Sequence, residues 1–153
     1  ESSRIAVLIG FLVEMWARQG HPGHVAGSDG GFQIFPWAPG DVRMPDVSYV
    51  SAVRLGRVPR RGWVTIPPDL AVEVVSPTDT AWKVQLKARD YVRAGVPLVW
   101  VVFPETRTVE VHRAGASIIE VLTEADALTG GDILPGFSVP VAELFLGEDD
   151  LEA

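Results

Sequence analysis

The chain has 153 residues, of which 47% are hydrophobic and 22% are charged, and it contains no cysteine. This length and apolar fraction fit a folded domain and exclude an intrinsically disordered chain, while the missing cysteines exclude a disulfide scaffold and thiolate metal sites. The formal net charge of −7 argues against a protein coated with basic residues for nonspecific duplex binding.

The first half of the sequence predicts one helix followed by strands. Residues 4–19 carry apolar side chains at helical spacing and end at a Gly/Pro segment, which predicts an amphipathic helix. Its longest apolar run, 5–13, is shorter than the roughly 20 residues that cross a bilayer, so we expect a cytoplasmic protein without a membrane segment. Residues 24–27 and 31–37, separated by Asp29-Gly30-Gly31, predict a short hairpin, and residues 47–53 predict a strand.

The second half predicts a strand, a helix and a strand in succession, at residues 70–76, 79–94 and 98–103. Thr78 or Asp79 is the predicted N-cap of the helix and Gly95 its end, and the unit should form a parallel crossover. Residues 108–112 and 117–122 predict hairpin strands, and residues 134–145 predict turns with a short helix at 141–145. This order predicts an α/β (α+β) fold with a mixed central sheet flanked by helices and an added C-terminal hairpin region.

The last six residues form a predicted acidic tail. Four of the twenty acids of the chain lie in residues 148–153. We therefore expect a single domain over residues 1–147, followed by this tail.

One carboxylate lies within the apolar strand at 70–76. Because side chains alternate between the two faces of a strand, Glu73 shares its face with Asp69, Ala71 and Val75. Burying an unpaired carboxylate costs several kcal/mol, so Glu73 needs a cation, a hydrogen-bond donor or a metal. Glu73 is predicted either to form a structural ion pair with an arginine or to act as a metal ligand or general base.

Lys87 stands out on the predicted helix. At about 100° per residue, it falls at the edge of the inward face, one turn before Tyr91, whereas Lys83 lies further round. These are the only lysines in a chain with eleven arginines. A compact ammonium can approach an oxyanion or change its protonation in ways that arginine cannot, so Lys87 is predicted to be either functional or a snorkelling surface residue.

Asp46 opens the strand that precedes this unit. It is predicted either to be a turn residue or, if its strand lies beside 70–76, to converge with Glu73 on one Mg²⁺ or Mn²⁺ ion. The connection between the two strands contains no acid from residue 47 to residue 68 and carries four arginines, Arg54, Arg57, Arg60 and Arg61. An acidic metal site beside a basic loop would suit a phosphodiester, with the arginines holding the flanking phosphates.

Several segments in this order carry a family resemblance: 45–50 (PDVSYV), 68–77 (PDLAVEVVSP), 87–91 (KARDY) with 94–96 (AGV), 98–102 (LVWVV), and the late 134–137 (LPGF) with 144–145 (LF). Together they resemble the Uma2 family, a bacterial family of restriction-endonuclease-like proteins within the PD-(D/E)XK nuclease superfamily. The resemblance implies an αβββαβ core. It also implies that Asp46 is the metal-binding aspartate of the PD half and Glu73 the acidic residue of the (D/E)XK half.

The superfamily lysine is displaced in this sequence. Val75 stands two residues after Glu73, where the pattern has lysine. The resemblance implies that Lys87 takes this role, with Gln85, Tyr91 and a carboxylate at the start of the first helix, Glu1, as auxiliary candidates.

The resulting prediction is a Mg²⁺- or Mn²⁺-dependent endonuclease acting on DNA rather than RNA. Asp46 and Glu73 would hold the metal, Lys87 would orient water or stabilise the phosphate, and the arginine loop would contact the backbone. A homodimer would cut both strands most easily. An inactive nuclease-fold module that binds nucleic acid or protein is the alternative, favoured by the acidic net charge and by Leu86 as a dimer patch, and a purely structural Glu73–Lys87 ion pair is a third interpretation.

Overall fold

The computed structural model describes residues 1–56, 61–147 and 150 of the chain. Its elements are, in chain order, α1 (Ser2–Arg18), β1 (Gly23–Ala26), β2 (Val47–Ser51), α2 (Ala52–Leu55), β3 (Leu70–Val74), α3 (Ala81–Arg93), β4 (Leu98–Phe103), β5 (Thr108–Arg113), β6 (Glu120–Leu122), β7 (Ala127–Gly130), β8 (Leu134–Pro140) and α4 (Val141–Leu144). The fold is α+β, as predicted from the order of elements.

A mixed six-stranded sheet forms the centre of the fold, with strand order β1-β2-β3-β4-β5-β6. Strands β3 and β4 are parallel, which confirms the predicted crossover through α3, and each of the other neighbouring pairs in this sheet is antiparallel. Strands β7 and β8 form a separate antiparallel hairpin, so residues 134–140, which were predicted as turns, form a strand instead.

The two faces of the sheet bury separate apolar clusters, as the alternation of side chains along β3 requires. Leu70, Val72 and Val74 belong to one cluster, together with residues of α1, the β7–β8 hairpin and α4. Ala71 belongs to the other, where α3 packs against the sheet. Each face of β3 is therefore covered, which explains why its five residues are all buried.

Helix α3 ends in a left-handed glycine, as predicted. Gly95 has a φ of 104°, and its N–H donates to the carbonyl of Val92 while the N–H of Val96 donates to the carbonyl of Tyr91. This pair of bonds is the Schellman arrangement that satisfies the last carbonyls of a helix. It fixes the backbone of Tyr91 in the last turn of α3.

Three further local predictions are wrong. Residues 31–37 do not form the second strand of a hairpin, because Phe32, Ile34 and Phe35 are buried in the cluster under α3, and β1 pairs with β2 instead. The strand predicted over 47–53 ends at Ser51, where the short helix α2 begins.

The N-cap predicted for α3, Thr78 or Asp79, is the third wrong prediction. The helix begins after Thr80, without a side-chain cap, because Asp79 accepts hydrogen bonds from the N–H and the hydroxyl of Ser76.

Candidate active site

The candidate site lies where the start of β2 meets the end of β3. Because these strands are antiparallel, with Val47 opposite Val72, Asp46 comes next to the last residues of β3. The carboxylate of Asp46 accepts a hydrogen bond from the N–H of Val74, at 2.7 Å between Oδ2 and N. This bond holds Asp46 beside Glu73, the residue that precedes Val74.

Glu73 is buried and faces α3. The hydroxyl of Tyr91 donates to its Oε1 at 2.8 Å, and the Nζ of Lys87 lies 3.7 Å from its Oε2. The predicted inward lean of Lys87 is confirmed, although 45% of its side chain remains exposed. No arginine is paired with Glu73 among the residues that the structure describes.

A cavity of about 250 Å³ opens over these side chains. It is lined by residues of α1, of the β2 and β3 ends and of α3: Ser2, Ser3, Ala6, Asp46, Glu73, Val74, Ser76, Asp79 and Lys87. Seven of these nine residues carry polar or charged side chains, and the exceptions are Ala6 and Val74. A polar, open cavity of this kind can admit water and a charged ligand.

Burial raises the pKa of Glu73 from its ordinary value near 4.5 to about 7. The ammonium of Lys87 and the hydroxyl of Tyr91 act in the opposite direction, whereas the charges of Asp46 and Asp79 raise the pKa further. Burial also raises the pKa of Tyr91, so this hydroxyl stays protonated and remains a donor. The carboxylate of Glu73 is therefore short of positive charge, which a bound cation would supply.

The donor set fits a hard, partly hydrated cation. Within residues 1–56, 61–147 and 150, no group of three or more His, Cys, Asp or Glu side chains can hold a metal ion. Asp46 and Glu73 provide two carboxylates at one cavity, and Mg²⁺ is commonly held by one or two carboxylates while it keeps several waters. These two residues are the ones that could hold Mg²⁺ or Mn²⁺.

Two auxiliary candidates do not join this cluster. The amide of Gln85 donates to the carboxylate of Glu110, which also bonds His112 on β5. Glu1 is exposed at the start of α1, and the next two residues of that helix line the cavity instead. Tyr91 is the auxiliary candidate that contacts Glu73 directly.

Asp79 lines the cavity, whereas the sequence predicts only a helix cap at this position. The N–H of Ser76 lowers the pKa of Asp79, and its carboxylate lies in the field of Lys87 and Lys83. The run Ser76-Pro77-Thr78-Asp79 is a turn signal that could have indicated this arrangement.

The described ends of the predicted arginine loop do not lie beside the carboxylates. The loop leaves β2 after Ser51 and enters β3 at Leu70, and these two points are at the end of the strands opposite to Asp46, roughly 15 Å away at 3.3 Å per residue. Arg54 pairs with Asp69 at 3.0 Å and donates to the carbonyl of Pro67. Arg61 is exposed, and Arg57 and Arg60 lie outside the described residues.

With this geometry established, comparisons with known proteins identify the family. The family model described as "Uma2: Putative restriction endonuclease" matches residues 1–142. The chain belongs to the Uma2 family. This confirms the resemblance that the motifs around Asp46, Glu73 and Lys87 carry.

A solved structure has a similar fold to this Uma2 chain. It is described as "a putative nuclease belonging to DUF820 from Anabaena variabilis ATCC 29413". The two structures share a TM-score of 0.77 at 19% sequence identity, over 94% of this chain and 79% of that chain. The likeness shows that the nuclease-like fold is shared. No curated protein matches the sequence significantly.

Proposed function

We propose that this Uma2 protein is an endonuclease that hydrolyses phosphodiester bonds in DNA and depends on Mg²⁺ or Mn²⁺. The observation that carries the proposal is the convergence of Asp46, Glu73 and Lys87 on one polar cavity at the end of the central sheet. Membership of a family described as restriction endonucleases supports DNA as the substrate class.

Asp46 and Glu73 would hold the cation through carboxylates that the two strands bring to one point. When bound, such a cation lowers the pKa of a water molecule and neutralises charge on a phosphate. The Val74 N–H fixes one oxygen of Asp46 and the Tyr91 hydroxyl fixes one oxygen of Glu73, so the two carboxylates are oriented by the protein before any ligand arrives.

Lys87 would act on the substrate side of the site. Its Nζ is 3.7 Å from Oε2 of Glu73, and its side chain is half-exposed and lines the cavity, so the ammonium can reach a phosphate oxygen or an attacking water without leaving the carboxylate. A pair this long and this exposed contributes little to stability, which favours a functional role over the purely structural ion pair.

The arginines of the loop would bind the phosphates that flank the scissile bond. The described ends of the loop lie roughly 15 Å from the carboxylates, a distance that suits phosphates a few nucleotides from the scissile bond, since phosphates on one strand are about 3.4 Å apart along the helix axis. Exposed Arg61, together with Arg57 and Arg60, is proposed for these contacts. Arg54 would contribute less, because Asp69 and the carbonyl of Pro67 already bind its guanidinium.

The test is cleavage of supercoiled plasmid DNA and of labelled duplexes in Mg²⁺ and in Mn²⁺. We expect Lys87→Ala to lower the rate about 100-fold or more, because it removes a charge from the reacting phosphate. Lys83→Ala is the matched control: it removes the other lysine of the chain, one turn earlier on α3, and should change the rate less than about twofold.

The outcome that contradicts the proposal is equally defined. Cleavage by the wild type that does not exceed that of Glu73→Ala, on several DNA substrates and with either cation, would show that the cavity is not a hydrolytic site. Equal losses in Lys83→Ala and Lys87→Ala would show that general positive charge on α3, rather than the ammonium at Glu73, accounts for the effect.

An interaction module is the second candidate, and a separate surface favours it. Leu86 of α3 is 45% exposed, and it lines a groove of about 560 Å³ together with Ile118 and Ile119, which are also exposed. Exposed apolar residues at a groove are typical of protein contacts. This function would be favoured if the wild type left DNA intact in the cleavage assay and Glu73→Ala gave the same result as the wild type.

A further inference from the structure

The two oxygens of Glu73 have different environments. Oε1 accepts the hydroxyl of Tyr91 inside the cluster under α3, whereas Oε2 lies on the side of Lys87 and the cavity. A carboxylate with two free oxygens can bind a cation through both, but in Glu73 the oxygen Oε1 already accepts one hydrogen bond, and Oε2 is the oxygen nearer to the cavity residue Lys87. The hydroxyl of Tyr91 is the donor that makes the environments of the two oxygens different.

Burial, a ring contact and backbone hydrogen bonds hold Tyr91 in place. It is 1% exposed, and its ring packs 6.1 Å from the ring of Phe35. Its neighbour Asp90 forms an ion pair with Arg43, at 2.6 Å between Oδ2 and Nη2. The guanidinium of Arg43 also lies over the ring of Phe35. The Schellman bond from Val96 fixes the Tyr91 carbonyl. A hydroxyl on so constrained a ring cannot move away from Glu73 without disturbing α3.

We propose that Tyr91 is a positioning residue that selects the cation: by donating to Oε1, it weakens this oxygen as a metal ligand, so that Glu73 binds mainly through Oε2 and favours small, octahedral Mg²⁺ or Mn²⁺ over Ca²⁺. The physical reason lies in the ions. Ca²⁺ takes six to eight oxygens and readily accepts both oxygens of one carboxylate, whereas Mg²⁺ demands near-octahedral geometry and keeps its waters. The inference rests on the cation site of the proposed function.

The test is calorimetric titration of the metal-free protein with Mg²⁺ and with Ca²⁺. In Tyr91→Phe the freed Oε1 can join Oε2, so the affinity for Ca²⁺ relative to Mg²⁺ should rise at least about threefold. Tyr49→Phe is the matched control, since Tyr49 is the only other tyrosine and its buried hydroxyl donates to the carbonyl of His21 instead. This control should leave the ratio unchanged.

A measurement on the wild type does not depend on the folding of any variant. With ¹³C at the ζ carbon of tyrosine, the protein gives two signals, one from each tyrosine. Saturating Mg²⁺ should shift the Tyr91 signal, because the charge on Glu73 changes at its hydrogen-bond partner, and should leave the Tyr49 signal in place.

The outcomes separate this inference from the proposed function. Cation binding with an unchanged Ca²⁺/Mg²⁺ ratio in folded Tyr91→Phe, or with a stationary Tyr91 signal, overturns the positioning role alone. A shifted ratio without DNA cleavage supports the positioning role and contradicts the nuclease. Failure of the wild type to bind either cation overturns both.

Discussion

Glu73 occupies an environment that a carboxylate ordinarily avoids. It sits in a strand whose five residues are all buried, and its nearest cation is a half-exposed lysine at 3.7 Å. Burial therefore outweighs the help of Lys87 and Tyr91 and raises the pKa of Glu73 to about 7. At this pKa a proton balances part of the charge of Glu73 near neutral pH, and in the proposed function a bound cation would take the place of that proton.

The raised pKa predicts how stability depends on pH. Because the pKa of Glu73 is about 7 in the folded protein and near 4.5 when unfolded, its contribution is fully present below pH 4.5 and is lost as the pH rises through 7. In urea denaturation with EDTA, the free energy of unfolding of the wild type should fall relative to that of Glu73→Gln by about 3 kcal/mol across this window.

Glu105→Gln, at an exposed glutamate, is the control for the loss of one charge. Its unfolding free energy should run parallel to that of the wild type over the same pH range. If the wild-type and Glu73→Gln curves also ran parallel, Glu73 would not be a destabilised carboxylate in the folded protein.

The sequence predicts which way the central residues of the site face, but it does not predict the hydrogen bonds that they form. Strand alternation is enough to place Glu73 inward, and the helical wheel is enough to lean Lys87 toward it. The Tyr91 bond to Oε1 and the Asp46 bond to the Val74 N–H depend on side-chain rotamers and on strand register, which a single sequence does not encode locally. The roles of these residues in catalysis remain predictions.

Among the elements, the antiparallel pairing of β2 with β3 decides the layout of the site. It brings Asp46 to Glu73, and by the same geometry it puts both ends of the arginine connection at the opposite end of the sheet. The convergence of the two acids was predicted on the condition that the strands are neighbours, and the observed pairing meets this condition. The described ends of the basic loop do not lie beside the carboxylates, because a connection between antiparallel neighbours starts and finishes at one end of the strands.

The crossover β3-α3-β4 depends on how α3 ends. Gly95 has a φ of 104°, and a Cβ at this position would lie 3.3 Å from the ring of Pro67. Gly95→Ala should therefore lower the free energy of unfolding by about 1–2 kcal/mol, measured by urea denaturation. It should do so although the glycine itself contacts no ligand.

Gly56→Ala is the matched control, because Gly56 has a φ of −61° and a Cβ at this position would have no atom of the described residues within 4 Å. That change should be neutral or stabilising by up to about 1 kcal/mol. Equal effects of the two changes would show that the left-handed turn is not what ends α3.

The segment at residues 31–37 shows where local pattern and tertiary packing conflict. Its Asp-Gly-Gly lead predicts a hairpin turn, yet Phe32 forms only isolated bridges, with Arg43 and with Val64. Phe32, Ile34 and Phe35 gain more by covering the sheet under α3 than by extending β1. The same packing brings Phe35 against Tyr91, so this irregular segment supports the site.

At the scale of the whole molecule, the cavity over Asp46 and Glu73 lies at the end of the sheet where helices from both of its faces come together. Helix α1 belongs to one face and α3 to the other, yet the first turn of α1 and the first half of α3 both reach the Asp46–Glu73 end. The order of elements predicts this architecture because each apolar strand needs cover on two sides. Within the described residues, none of the helices combines the length and apolarity that a bilayer crossing would need.

The most direct test of the account is Mn²⁺ binding, followed by electron paramagnetic resonance in the wild type, Asp46→Asn and Asp69→Asn. Both substitutions neutralise an aspartate next to β2 or β3, but Asp69 lies at the arginine end of the sheet. We expect Asp46→Asn to weaken binding about 10-fold or more and Asp69→Asn to retain it. Equal binding by the wild type and Asp46→Asn, or loss of binding in Asp69→Asn alone, would contradict a cation site built by Asp46 and Glu73.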